Sequence, residues 1–159
     1  MRAVIRASGS VGIILLPPAI YDSRVILEYL DILAGGNKII PTDPEARITA
    51  LTLQALADGI LDAGITQRYE TVFRTPERYE PKWLDYQKGK VTRALDVLEA
   101  NPPVWSGIPN VGIITVACAL GYQDFRFGGE WRKTYPKLVA WLADFVARVP
   151  SYNVTKPPM

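Results

Sequence analysis

The stretch Asn110-Val111-Gly112-Ile113-Ile114-Thr115-Val116-Ala117-Cys118-Ala119-Leu120-Gly121 decides the fold class. Residues 111–120 are apolar on nearly every side, and a helix that is hydrophobic all round belongs at the centre of a core. Asn110, after Pro109, is its expected N-cap, and Gly121 its expected end. A central helix needs others around it. Upstream, Thr42-Asp43-Pro44-Glu45 is a strong helix start: Asp caps, Pro takes the first helical position, and Glu suits the positive end of the helix dipole. That helix is expected from Pro44 to near Thr71, with Ile48, Leu51, Ala55, Leu56, Ile60 and Ala63 on one face. Gly59 and Gly64 weaken it or permit a close helix contact. A second long helix, Pro81–Ala100, turns Leu84, Val91, Ala94, Leu95 and Leu98 inward and ends at Asn101-Pro102-Pro103. Downstream, a short turn over Tyr122–Phe127 and Gly128-Gly129 precede a helix over Pro136–Val149. It carries Leu138, Trp141, Leu142, Phe145, Val146 and Val149 in register. Residues 151–159 are expected to be irregular.

The front of the chain differs. Val11–Leu16 reads as a single strand, ended by Pro17 and Pro18. Asp22 or Ser23 then caps a helix with Ile26, Tyr29, Leu30 and Leu33 at i, i+3, i+4 and i+7. Gly35-Gly36 stops it, and residues 37–43 read as a linker. The expectation is a mostly α protein, a helical bundle with a scrap of sheet in front.

Composition bounds the chemistry. The chain has 159 residues, 48% hydrophobic and 21% charged, enough for one domain or one domain plus part of another. One cysteine, Cys118, excludes an intrachain disulfide. The absence of histidine excludes Ser-His-Asp and Cys-His catalysis and histidine-rich zinc sites. Residues 1–21 carry Arg2 and Arg6 and no acid; beyond them the two signs of charge balance. That balance argues against nucleic acid as a partner. No apolar run reaches the ~20 residues of a membrane span, and the basic-then-apolar start makes a poor signal peptide. The cytoplasm is the default location.

Five passages, in order, resemble the bacterial branch of the glutathione S-transferase superfamily. They are Tyr21-Asp22-Ser23-Arg24-Val25-Ile26-Leu27-Glu28-Tyr29-Leu30-Asp31; Ala55-Leu56-Ala57-Asp58-Gly59-Ile60-Leu61-Asp62-Ala63-Gly64; Arg93-Ala94-Leu95-Asp96-Val97-Leu98-Glu99; Ala117-Cys118-Ala119-Leu120-Gly121-Tyr122-Gln123-Asp124-Phe125-Arg126; and Trp131 with Tyr135-Pro136-Lys137-Leu138, Trp141, Phe145, Arg148, Pro150-Ser151 and Thr155. The resemblance implies an all-α C-terminal domain over residues 44–150, with an irregular tail over 151–159. A shortened remnant of a thioredoxin-like domain would occupy 1–34, joined by a linker over 35–43. It also implies glutathione as co-substrate, a small electrophile as second substrate, a homodimer, and no metal.

Ser23, with Asp22 beside it, matches the family position that holds the γ-glutamyl carboxylate. The physics is general: a hydroxyl and the free N–H groups of a helix N-terminus make an anion site. Capping alone is the competing role for both residues. Asp58 matches an acid that reaches the glutathione amino group across the family's dimer; Asp58 and Asp62 alone supply too few ligands for a metal. The family's thiol-activating residue and its cis-proline lie ahead of Tyr21, where this sequence offers neither in the expected context. No catalytic residue is assigned, and catalysis by this chain alone is expected to be weak or absent. A non-catalytic helical binding or dimerisation module is the alternative, and a defective fragment a third. Cys118 is expected to be a buried packing thiol. The four tryptophans are expected in core and lid packing, although Tyr69 and Trp83 are candidates for an electrophile pocket. Asp124 and Arg126 are expected to form a structural pair on a turn.

Overall fold

The computed structural model describes residues 4–8, 11–15 and 19–157. Three antiparallel strands come first, β1 (Val4–Ser8), β2 (Val11–Leu15) and β3 (Ile20–Tyr21), in the order β1-β2-β3. Val4 pairs with Leu15 and Ile14 with Ile20. The single strand expected from Val11 is thus the middle of a small sheet. Six helices follow: α1 (Ser23–Leu33), α2 (Pro44–Phe73), α3 (Pro81–Ala100), α4 (Val111–Phe127), α5 (Pro136–Arg148) and a single turn, α6 (Ser151–Val154). The protein is mostly α, as its periodicity predicts, and α4 lies in the middle of the bundle.

Local chemistry sets most helix starts. The Asp43 carboxylate accepts from Ala46 N at 2.9 Å, with Pro44 at the first helical position of α2. The Asn110 amide oxygen accepts from Ile113 N at 3.1 Å. The start of α5 is made differently. Tyr135 gives it no side-chain cap; instead Glu99, on α3, accepts from Lys137 N and Leu138 N, both at 2.9 Å. The Tyr135 hydroxyl donates to Asp96 Oδ1 at 3.0 Å, so α3 holds the start of α5 at two points.

Four expectations need correction. Helix α4 does not stop at Gly121. It runs six residues further and ends at Gly128, whose φ of 65° is the left-handed conformation that glycine adopts without strain. Gly121 instead leaves room for the Tyr152 hydroxyl, which occupies the space a Cβ would take and donates to Ala117 O at 3.3 Å. The tail therefore is not wholly irregular: α6 forms and docks its tyrosine on α4. The inward face of α2 is also rotated from the expected one. Ile48 is 64% exposed, and the buried stripe is Ala50, Gln54, Ala57, Ile60, Ala63, Gly64, Gln67 and Glu70. Finally, Asp124 bonds Arg132 rather than Arg126, with contacts of 2.7 and 2.6 Å, and accepts from the Trp131 indole at 2.9 Å.

Small residues explain the α2–α4 crossing. A Cβ on Gly112 would lie 2.5 Å from Ala50 O, and one on Gly64 would lie 3.0 Å from the Tyr122 ring. The main core joins α2, α3, α4 and α5 through Ile60, Leu95, Leu98, Ile113, Leu120, Leu138 and Phe145. A smaller cluster of Ile40, Ala50 and Val111, with Leu27 and Ile39 against it, joins α1 and its following segment to the bundle. By length and apolar composition α2 also meets the requirement for a membrane span, which reading runs of consecutive apolar residues does not reveal. Its buried stripe packs on α3 and α4 here.

Two phenols lie far from their ordinary range. Burial, helped by the Asp96 hydrogen bond, pushes Tyr135 up to about 12, and burial pushes Tyr152 to about 12. A phenol whose pKa is raised on folding contributes stability below its unfolded value near ~10 and loses it as pH rises toward the folded value. Absorbance titration is therefore expected to show Tyr135 and Tyr152 ionising late. Stability should fall between about pH 10 and 12, and Tyr135→Phe should remove part of that loss. Eight phenols titrating together near ~10 in the folded protein would contradict this.

Candidate functional site

The N-terminus of α1 brings together the residues that the sequence singles out. Strand β3 delivers the chain to Asp22, whose φ of 73° is one of two positive values at non-glycine residues among those described. Positive φ is strained for a side chain bearing a Cβ, and strain of this kind gathers at functional positions. The Asp22 carboxylate accepts from Arg24 N at 3.0 Å, and Asp22 O accepts from Ile26 N at 2.9 Å. Asp22 is thus the N-cap. Ser23, the first helical residue, is exposed, and no described residue hydrogen-bonds its hydroxyl or its N–H. The capping role therefore belongs to Asp22 alone, and Ser23 keeps its donors at the positive end of the helix.

Asp58 lies in this neighbourhood by a route the sequence does not disclose. Arg24 Nε donates to Asp58 Oδ2 at 2.7 Å, across 34 residues of chain. That hydrogen bond first, and then the Asp58 charge, raise the Arg24 guanidinium above its ordinary value. Asp58 is mostly buried and Arg24 mostly exposed. A second pair, Arg47 with Glu28 at 3.2 Å, also bridges α1 to α2. Exposed pairs of this kind contribute at most about 1 kcal/mol each, so their main effect is on geometry. A stronger tie is buried: Asp31 accepts from Lys38 N at 2.9 Å and Ile39 N at 2.8 Å. Ile39 O in turn accepts from Val111 N at 2.8 Å, filling one of the open donors at the start of α4. α1 is therefore held against α2 and α4, and with it the orientation of Ser23. Arg24 and Asp31 are the residues missed in sequence. Their partners are set by tertiary contact, and an Arg after a capping Asp-Ser gives only a faint signal.

The other singled-out residues lie elsewhere. Asp62 is exposed one turn along α2 from Asp58. Cys118 is exposed, contrary to the expectation of a buried thiol; the apolar atoms around it push its pKa up. Trp131 and Trp141 are buried, the latter donating to Pro103 O at 2.7 Å. Trp105 packs on Phe145. Trp83 is not core: it is 44% exposed, stacked on Tyr86, while Tyr69 pairs with Phe73 on the preceding helix. Among the described residues no group of three or more acidic or cysteine side chains forms a metal site.

The chain as a whole is similar to known proteins. No protein-family model matches the chain. An uncharacterised GST-like protein of Escherichia coli K12, YibF, is 32% identical over 142 residues, covering 87% of this chain and 69% of that protein. A glutathione transferase family member from Pseudomonas fluorescens Pf-5, solved with bound glutathione, is 46% identical with a TM-score of 0.86. The match covers 95% of this chain and 75% of that one. A glutathione S-transferase from Methylobacillus flagellatus KT, also with glutathione bound, is 31% identical with a TM-score of 0.82, covering 92% of this chain and 75% of its own.

Proposed function

This chain belongs to the glutathione transferase family, and we propose that it binds glutathione at the N-terminus of α1. The observation that carries this reading is Ser23, an exposed hydroxyl with no described partner at a helix start whose cap is already supplied by Asp22. A carboxylate placed there accepts from the Ser23 hydroxyl and the free N–H groups, with the helix dipole favouring its charge. The relatives from P. fluorescens and M. flagellatus hold glutathione, which has such a carboxylate at its γ-glutamyl end. Asp58 is a further candidate contact for the glutathione amino group. Its bond to Arg24 in the same chain makes it first a positioning residue for α1, and only secondarily a ligand to a neighbour's glutathione.

The family reaction is attack of the glutathione thiolate on a small electrophile. A thiol of pKa near ~8.5 needs a neighbouring donor that favours its thiolate at neutral pH. No residue is assigned that role. A homodimer and a cytoplasmic location complete the reading.

Calorimetric titration with glutathione tests it. Ser23→Ala is expected to weaken binding roughly ten- to hundredfold, the ~1.5–3 kcal/mol of a hydrogen bond to a charged group. Equal affinity in the two proteins would remove Ser23 from the site. A second reading, a non-catalytic interaction module, is favoured by the exposed aromatic pairs Tyr69–Phe73 and Trp83–Tyr86 at one end of the α2–α3 hairpin. Absence of glutathione binding by folded protein, together with a stable protein complex lost in Phe73→Ala or Trp83→Ala, would select it.

A further inference from the structure

The cations and the carboxylates of α3 lie on different sides of the helix. At 3.6 residues per turn, Lys82, Trp83, Tyr86, Lys90, Arg93 and Val97 fall within about 100° of arc, on one flank. All six are exposed. The three carboxylates of the helix, Asp85, Asp96 and Glu99, fall on the other flank together with Lys88. Two of them hold α5: Asp96 accepts from the Tyr135 hydroxyl, and Glu99 accepts from Lys137 N and Leu138 N. Lys82, Lys90 and Arg93 are left without an ion pair among the described residues.

This flank is ordered by its own contacts. Trp83 stacks on Tyr86 with ring centres 5.9 Å apart and an interplanar angle of 26°. The Lys90 ammonium lies 4.7 Å from the centre of the Tyr86 ring. Arg93 folds back along the helix over Gly89, where its Nη1 lies 3.1 Å from the place a Cβ would take. Trp, Tyr and Arg are the residue types that dominate binding energy at protein interfaces, and side chains already held in place lose less freedom on binding. From Trp83 to Val97 the flank runs about 21 Å, the length of a four-turn helix. Its charge selects the class of partner: three cations with no carboxylate among them attract an acidic surface and repel a basic one. A bilayer fits less well. The arc is narrow, and Asp85 and Asp96 on the adjoining side would face anionic headgroups.

We propose that this flank of α3 docks an acidic amphipathic helix of another protein, with the partner's apolar side against Trp83 and Val97 and its carboxylates on Lys82, Lys90 and Arg93. The docking goes beyond both readings above: it specifies the chemistry of a protein partner, and it stands whether or not Ser23 holds glutathione.

The probe is a fluorescently labelled 18-residue peptide with leucine at the a and d positions of a heptad repeat and glutamate elsewhere, its anisotropy followed as the protein is added. Saturable binding is expected. Trp83→Ala should weaken it about tenfold, and Lys90→Glu with Arg93→Glu at least tenfold. The neutral pair Lys90→Gln with Arg93→Gln should fall in between. Circular dichroism checks that the variants keep their helices, and the neutral pair carries the comparison if the charge reversal does not. Ser23→Ala and saturating glutathione should leave the affinity unchanged, so failure of the glutathione site and failure of this docking are read separately. Four results overturn the proposal: no saturable binding of the acidic peptide; equal binding of a peptide with lysine in place of glutamate; equal affinity in the parent and the charge variants; and tighter binding to phosphatidylglycerol vesicles than to the peptide, which assigns the flank to a membrane. Self-association of the parent in sedimentation that Trp83→Ala abolishes would also overturn it, by assigning the flank to a second copy of the chain.

Discussion

Phe145→Ala is expected to cost about 3–5 kcal/mol of stability, out of the roughly 5–15 kcal/mol that a domain possesses. Phe145 is 2% exposed, at the junction of α5 with the loop before α4 and with the tail. Its ring stacks on Trp141 at 5.8 Å and meets Trp105 at 5.6 Å and Tyr152 at 5.7 Å. Truncation removes the transfer free energy of the ring and leaves a void bounded by three other rings. Those rings are themselves anchored, Trp141 to Pro103 O and Tyr152 to Ala117 O, so the void cannot collapse cheaply. Denaturant unfolding measures the loss. A cost below about 1 kcal/mol would mean that the site repacks and that the aromatic cluster is not a fixed core. Phe145→Leu, closer in volume, should recover more than half of the loss.

Gly112→Ala is expected to destabilise by about 1–3 kcal/mol, against the usual sign for a glycine within a helix. Alanine is favoured over glycine there by up to ~1 kcal/mol on propensity alone. At Gly112 the new methyl would lie 2.5 Å from Ala50 O and 2.9 Å from Leu53 Cβ. The first of these is backbone in the second turn of α2 and cannot rotate aside, so the two helices must separate. Gly59→Ala is the control. It lies on the exposed side of α2 with nothing within 4 Å of the added methyl, and should stabilise by about 0.5–1 kcal/mol. Opposite signs at the two glycines locate the α2–α4 contact at Gly112; the same sign at both would place it elsewhere.

The contrast between these glycines shows how far a sequence can be read. Gly59 and Gly64 are distinguishable from an ordinary helical pattern only as anomalies. Gly64 proves to face Tyr122 and Gln123, whereas Gly59 faces nothing. Gly121 reads locally as a helix end, and its real role depends on Tyr152, which approaches from 31 positions further along the numbering. Ile48 and Ala50 make the same point on α2. A strongly apolar residue is exposed and a weakly apolar one buried, because the crossing with α4 selects small side chains and a hydrophobicity pattern does not measure size.

At the glutathione-binding candidate, Asp22 and Ser23 are legible because a cap and a first-turn hydroxyl are local features. Which of them caps and which stays free is decided by the backbone at Asp22, whose positive φ turns its carboxylate onto Arg24 N. The link from Arg24 to Asp58 lies beyond any local pattern.

By itself, the sequence determined the features whose physics acts within a few residues. These are the α class, the starts at Asp43-Pro44 and Asn110, the span of Pro81–Ala100, and the all-round apolar character that makes α4 the centre. Only the tertiary structure decided the passage of α4 through Gly121, the cap that Glu99 lends α5, the clamp of α1 by Arg24–Asp58 and Asp31, and the exposure of Cys118. Each of these is a pairing between distant parts of the chain. A donor or a hydroxyl shows in its sequence neighbourhood what it needs, and the packing of whole helices selects which residue supplies it.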